Sequence, residues 1–255
     1  MRPPNPAYGS GVFRRKLRLS VHAREAAVDL EDSNHGFRLR LRHDGEAIID
    51  LQADPIRHPF VTCPGAVMPL RRLLGIRLDM GGAELRARLV PGEQCTHLFD
   101  MAMLAHAHAR DAGLERLYEV VVDDEREGVM RAQVQCDGAP VHDWQILRGH
   151  SIIAPAAFGG RAMMRGFYAW VSESLSGMEH EAAVVLQRGY FVAQSRRMRN
   201  TPAAEFPAST DELPDGTCHS YNAAAVGRAL RIEGAVRDLT HRPEALLKFE
   251  PMQRT

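Results

Sequence analysis

Apolar and polar positions alternate along the first fifty residues, and the period changes after that. From Leu17, "VFRRKLRLSV" (12–21) places an apolar side chain at every second position, which predicts a strand, and "AAVDLED" (26–32) reads as another. In "GFRLRLRHDGEAIIDLQAD" (36–54), Phe37, Leu39 and Leu41 alternate with Arg38, Arg40 and Arg42. His43-Asp44-Gly45-Glu46 then makes a turn, and Ile48, Ile49 and Leu51 resume. This is the pattern of a β-hairpin with one wet, arginine-bearing face. Helical spacing follows: Pro64 suits a first turn, Val67, Leu70, Leu73 and Leu74 form a stripe, and Gly75 ends it. Residues 81–90 predict a second short helix and 95–113 a longer third, with Leu98, Met101, Ala102, Ala105 and Ala109 on its buried face. A strand, an acidic turn and a strand follow over 116–138, then a short extended piece or loop over 142–155. Helices are predicted from about Arg161 within 157–175 and over 179–198.

Strands and helices thus come in blocks, not in strict βαβ alternation, which predicts an α+β fold: an antiparallel sheet with helices packed on one face. The Pro- and Gly-rich residues 1–12 read as a loose arm. A core domain is expected over 14–198. A linker and C-terminal extension over 199–255 follow it, Pro-rich and polar at 200–216, with enough apolar content beyond to pack back on the core.

Composition adds exclusions. The formal net charge is zero, which predicts neither a nucleic-acid partner nor a polybasic membrane surface. The basic residues are arginine except Lys16 and Lys248, which fits either GC-rich coding or anion recognition by guanidinium groups. The N-terminus has no apolar signal core and no stretch is long enough to span a bilayer. Cys63, Cys95, Cys136 and Cys218 form no CxxC pair, so a cytoplasmic protein with reduced thiols is expected. No P-loop, Rossmann glycine fingerprint, GxSxG elbow or HExxH motif is present.

The candidate chemistry centres on "EQCTHLFDM" (93–101), where Cys95 and His97 open the third helix. A helix N-terminus favours thiolate at Cys95 and disfavours a cation at His97, leaving a neutral imidazole fit for a base or a ligand. The alternative is a small buried cysteine beside a hydrogen-bonded core histidine. "HDWQILRGH" (142–150) and "FYAW" (167–170) supply Trp144, Arg148 and Tyr168, either as aromatic and anion contacts or as edge strand and core. "TCHSY" (217–221) repeats the Cys and His types of the opening motif.

Four steps in the sequence carry a resemblance. They are Ile48-Ile49-Asp50, Cys63-Pro64-Gly65-Ala66, Arg71-Arg72-Leu73-Leu74-Gly75 and Cys95-Thr96-His97-Leu98. Together they resemble an uncharacterised bacterial family, domain-of-unknown-function family 2889, over roughly residues 14–198 and most clearly 35–100. A more distant likeness is to the NifU/SufE-type fold of iron–sulfur scaffold proteins. There Cys63 would match a loop cysteine and Cys95 a helix-start cysteine, while Ser33 and His35 fall near a cysteine and an aspartate of the scaffold set.

The family resemblance implies breakdown of a lignin-derived aromatic: a cofactor-independent lyase that cleaves a carbon–carbon bond beside a phenolic ring and releases a small aldehyde such as formaldehyde. Its substrate is a small aromatic molecule, and a homodimer is left open. His97 or His35 would be the base, with Cys95 beside them, and Arg148, Trp144 and Tyr168 would hold the ring. The scaffold likeness implies instead a metal- or cluster-binding accessory protein, with His35, Cys63, Cys95 and His97 as ligands to zinc or iron.

Overall fold

Among the described residues eight strands pair antiparallel into one sheet in the order β4-β3-β2-β1-β5-β6-β7-β8. They are β1 (Val12–His22), β2 (Glu25–Asp32), β3 (Gly36–His43), β4 (Ile48–Arg57), β5 (Glu115–Asp123), β6 (Val129–Cys136), β7 (Ala139–Leu147) and β8 (Ile152–Ala154). The computed structural model describes residues 3–199, 208–211 and 213–250. The period-two pattern decides which side is buried. Phe13, Leu17, Leu19 and Val21 on β1, Phe37, Leu39 and Leu41 on β3, and Tyr118, Val120 and Val122 on β5 all enter one core. The arginine face lies opposite, where Arg18 and Arg40 converge on Asp29 at 2.9 and 3.0 Å.

Among the described residues five α-helices accompany the sheet: α1 (Val67–Leu70), α2 (Gly82–Ala87), α3 (Thr96–Ala107), α4 (Phe167–Ser174) and α5 (Gly177–Ala193). α3 packs on β2 and β3, and α5 on β1, β5, β6 and β7. The two meet through an Arg188–Asp100 ion pair at 2.6 Å. The α+β architecture is thus as the pattern predicts, and no helix of the described residues is long and apolar enough to cross a membrane.

Several local expectations are corrected. Over 142–155 the extended alternative holds and the loop does not: β7 runs nine residues with His142, Trp144 and Ile146 inward, and β8 follows. Helix α4 begins at Phe167 instead of near Arg161, because Gly166 takes a left-handed φ of 85° that ends any helical path leading into it. The residues before it are tied to the sheet edge by Ile152 N–H to Arg161 O (2.9 Å) and Met163 N–H to His150 O (2.8 Å). The N-terminal arm is held: Asn5 N–H donates to Arg197 O at 2.9 Å and Glu125 N–H to the Tyr8 hydroxyl at 3.2 Å.

Residues 200–207 and 212 of the predicted linker lie outside the described residues. Beyond them the extension is mostly irregular, made of short 3₁₀ turns, and it returns to the core. Ile232 N–H donates to Pro59 O (2.9 Å), Arg237 N–H to Ser33 O (2.8 Å) and His219 N–H to Gln94 O (2.7 Å).

Helix and sheet come close at Gly189 on α5, where a Cβ would lie 2.7 Å from Val120 Cγ1. Gly189→Ala is therefore expected to lower stability by about 1–3 kcal/mol through overpacking, read as a reduced urea midpoint at unchanged m-value.

Candidate active site

The β2–β3 hairpin closes through Ser33 and Asn34, with Asp32 N–H donating to His35 O at 2.8 Å. Asp32 caps its own turn: its Oδ1 accepts the N–H groups of Asn34 (2.7 Å) and His35 (2.8 Å). The same oxygen faces His35 Nδ1 at 3.1 Å. Its other oxygen accepts two hydrogen bonds from Arg15, at 3.0 and 2.6 Å. Arg15 reaches it because it sits on the inward face of β1, in register opposite Asp32 and in phase with Leu17 and Leu19. Both partners are buried, at 2% and 0% exposed.

His97 enters from the first turn of α3. Its ring stacks on His35, with centroids 3.9 Å apart and planes tilted by 34°. Arg15 Nη2 lies 3.0 Å from His97 Nε2 and can only donate, so that nitrogen is the acceptor and Nδ1 carries the proton, facing Cys95 Sγ at 3.9 Å. Burial, followed by the neighbouring His35 and Arg15, holds His97 well below the usual imidazole value, as the neutral form expected at a helix start. Burial would raise the Asp32 carboxyl, but His35 and Arg15 together outweigh it and keep the group ionised.

A second guanidinium fixes the hairpin tip. Arg57, fully enclosed at the end of β4, donates to the carbonyls of Ser33 (3.1 Å), His35 (2.9 Å) and Ala235 (2.7 Å) and to Glu31 (3.2 Å). One side chain thus positions the turn and joins it to the C-terminal extension.

The histidine pair lines a cavity of about 930 Å³. Its walls include Phe60 and Cys63 from the segment after β4, Phe191 and Val192 from α5, and Cys218 and Tyr221 from the extension. His35 Nδ1 is committed to Asp32, and the residue lines the cavity. An imidazole with one nitrogen fixed by a carboxylate, at the wall of a cavity, has the makings of a general base.

Of the residues singled out in the sequence, His35, His97, Cys95, Cys63 and Arg148 line this cavity, and Trp144 and Tyr168 do not. Trp144 lies in the core against Phe158, Phe167 and Trp170, since β7 turns it inward. Tyr168 stands between Arg86 and Arg188. Arg148 is at the rim, its side chain 77% exposed and paired with Glu125. The thiolate expectation for Cys95 is reversed: burial in a closed apolar setting raises its thiol and outweighs the helix dipole. Burial likewise pushes Cys63 up to about 11, and its sulfur lies 3.4 Å from the Ser220 hydroxyl.

The four-ligand set of His35, Cys63, Cys95 and His97 does not assemble. The donor atoms that gather within 4.8 Å are those of Asp32, His35 and His97. Arg15 already holds Asp32 Oδ2 and His97 Nε2, so a cation there would have to displace a buried guanidinium. These residues do not fit a resident metal.

Asp32, Arg15 and Arg57 were not anticipated. The signals were present as an arginine in the apolar phase of β1 and an Asp-x-x-His spacing across a two-residue turn.

Residues 13–110 match the model of a family described as "Protein of unknown function (DUF2889)". The matched stretch contains Arg15, Asp32, His35, Cys95 and His97, and the chain is similar to that family there. No curated protein matches the chain.

A depressed His97 value means that the unfolded chain takes up a proton where the folded one does not. The contribution to stability is whole above the unfolded value of about 6.5 and is lost as pH falls below it. Wild-type Tm should drop more steeply between about pH 6.5 and 5 than that of His97→Gln, which keeps an acceptor for Arg15 but cannot titrate. Parallel pH profiles would contradict a neutral His97.

Proposed function

We propose that this protein is a cofactor-independent carbon–carbon lyase acting on a phenolic, lignin-derived compound and releasing a small aldehyde such as formaldehyde. The observation that carries the reading is His35, held through Nδ1 by an ionised Asp32 and lining the cavity. The aromatic and aliphatic walls formed by Phe60, Phe191, Val192 and Met164 suit a flat ring. The substrate class is the one the sequence resemblance implies; the matched family is itself described as of unknown function.

In this mechanism His35 Nε2 takes the proton of a substrate hydroxymethyl group. The adjacent carbon–carbon bond breaks and the aldehyde leaves. The electron pair of that bond forms a carbon–carbon double bond conjugated with the phenolic ring as a benzylic oxygen substituent leaves, and the imidazolium returns its proton to that leaving oxygen. Asp32 stabilises the imidazolium formed on His35, and Arg15 holds Asp32 charged and in place. His97 must stay neutral for this, because an imidazolium stacked 3.9 Å from it would oppose proton uptake. Cys95 is a partner of His97 and not a nucleophile, since its thiol is held protonated. A cytoplasmic setting belongs to the same proposal and suits four free cysteines.

The alternative, a metal- or cluster-binding accessory protein of the NifU/SufE type, is less well supported because Arg15 occupies the donors. About one zinc or iron per purified chain, lost in both Cys63→Ala and Cys95→Ala, would favour it.

His35→Ala should reduce kcat/KM on a phenolic dimer by about 10²–10⁴-fold, with aldehyde release as the readout and chelators without effect on the wild type. Asp32→Asn should lower kcat in the same direction. Undiminished turnover by His35→Ala would remove the base from this mechanism.

A further inference from the structure

The proposed substrate needs a contact for its ring hydroxyl. Trp144 and Tyr168 do not line the cavity, and Arg148 is engaged at the rim. The extension brings a different aromatic group to the wall. Tyr221 of "TCHSY" packs edge-on against Phe60, with centroids 5.4 Å apart at 86°. Arg231 covers the same Phe60 ring, its guanidinium carbon 4.8 Å from the centroid. Tyr221 donates its hydroxyl proton to Asp211 Oδ2, and Arg231 donates to the same oxygen. Phe60, Asp211, Tyr221 and Arg231 all line the cavity.

The chemistry of this group is directional. A phenolic hydroxyl has one proton and two lone pairs. The Tyr221 proton is committed to a carboxylate that Arg231 keeps in place, so to any further partner the oxygen offers only lone pairs. Such an oxygen accepts from a neutral O–H. It gains nothing from a methyl ether and is repelled by an anionic oxygen. Phe60 and the Tyr221 ring meanwhile supply apolar area for the ring that carries the hydroxyl.

We infer that Tyr221, held by Asp211 and Arg231, is a specificity-determining residue that selects an aromatic ring bearing a free, un-ionised hydroxyl. The inference rests on reading this cavity as the substrate site, but it is tested by binding alone and does not require turnover. It also assigns a role to the C-terminal extension, which lies beyond the residues matched by the family.

The test uses the full chain and two probes, guaiacol and its methyl ether veratrole, titrated by calorimetry or ligand-observed NMR near neutral pH. Wild-type protein should bind guaiacol about three- to tenfold more tightly than veratrole, the range of one ordinary hydrogen bond. Tyr221→Phe keeps the ring and should bind both probes with the affinity of wild type for veratrole. Unchanged veratrole binding also reports that the variant has kept its fold. Equal affinity of wild type for the two probes, binding of neither, or an equal loss of both in Tyr221→Phe would overturn the assignment. If the preference appears as expected but no aldehyde is released from any phenolic dimer, the lyase reading fails and the assignment of Tyr221 stands.

Discussion

The site depends on one buried ion pair, Arg15 with Asp32, built into adjacent strands of the sheet. An unpaired carboxylate at this depth would carry a desolvation cost of several kcal/mol, and so would an unpaired guanidinium. Each is the other's counter-charge, and each has further bonds that share the load. Asp32 accepts two backbone N–H groups of its own turn, and Arg15 donates to His97. Hydrogen bonds of this kind distinguish a buried pair that fixes a geometry from one that merely burdens the core. Here the geometry fixed is the ring plane of His35, and through Arg15 the tautomer of His97.

A second shared dependence runs through Arg57. It gathers carbonyls from the hairpin tip and from Ala235, so the turn bearing Asp32 and His35 and the extension bearing Tyr221 are braced by a single side chain. The strand scaffold makes this feasible. β4 pairs with β3 to its end, Gly36 opposite Arg57, which brings the guanidinium under the tip of the neighbouring hairpin.

Much of the scaffold was legible because period-two and period-3.6 patterns are local. The hairpin from Gly36 onward, the acidic turn after β5, and helices α3 and α5 follow directly from spacing. What local pattern could not supply was the competition between forces at depth. Cys95 at a helix start suggested thiolate, yet burial outweighs a dipole that acts over one turn. Trp144 and Tyr168 had suitable chemistry but no facing information until the sheet placed Trp144 inward and α4 placed Tyr168 between Arg86 and Arg188. His35 and His97 were legible as types, and their meeting depends on a hairpin tip and a helix start that lie 62 residues apart in the chain. Asp32 was the most recoverable omission, since an Asp two residues before Asn34 and three before His35 is the side chain that closes such a turn.

The stacked histidines also limit how much charge the centre can store. Two imidazoles with ring centres 3.9 Å apart share one carboxylate beside Arg15, so a cation on one ring opposes a cation on the other. Under the proposed lyase reading, a proton taken up by His35 would have to be handed on to the departing product before the next substrate is deprotonated, which would make recharging the pair a step of its own.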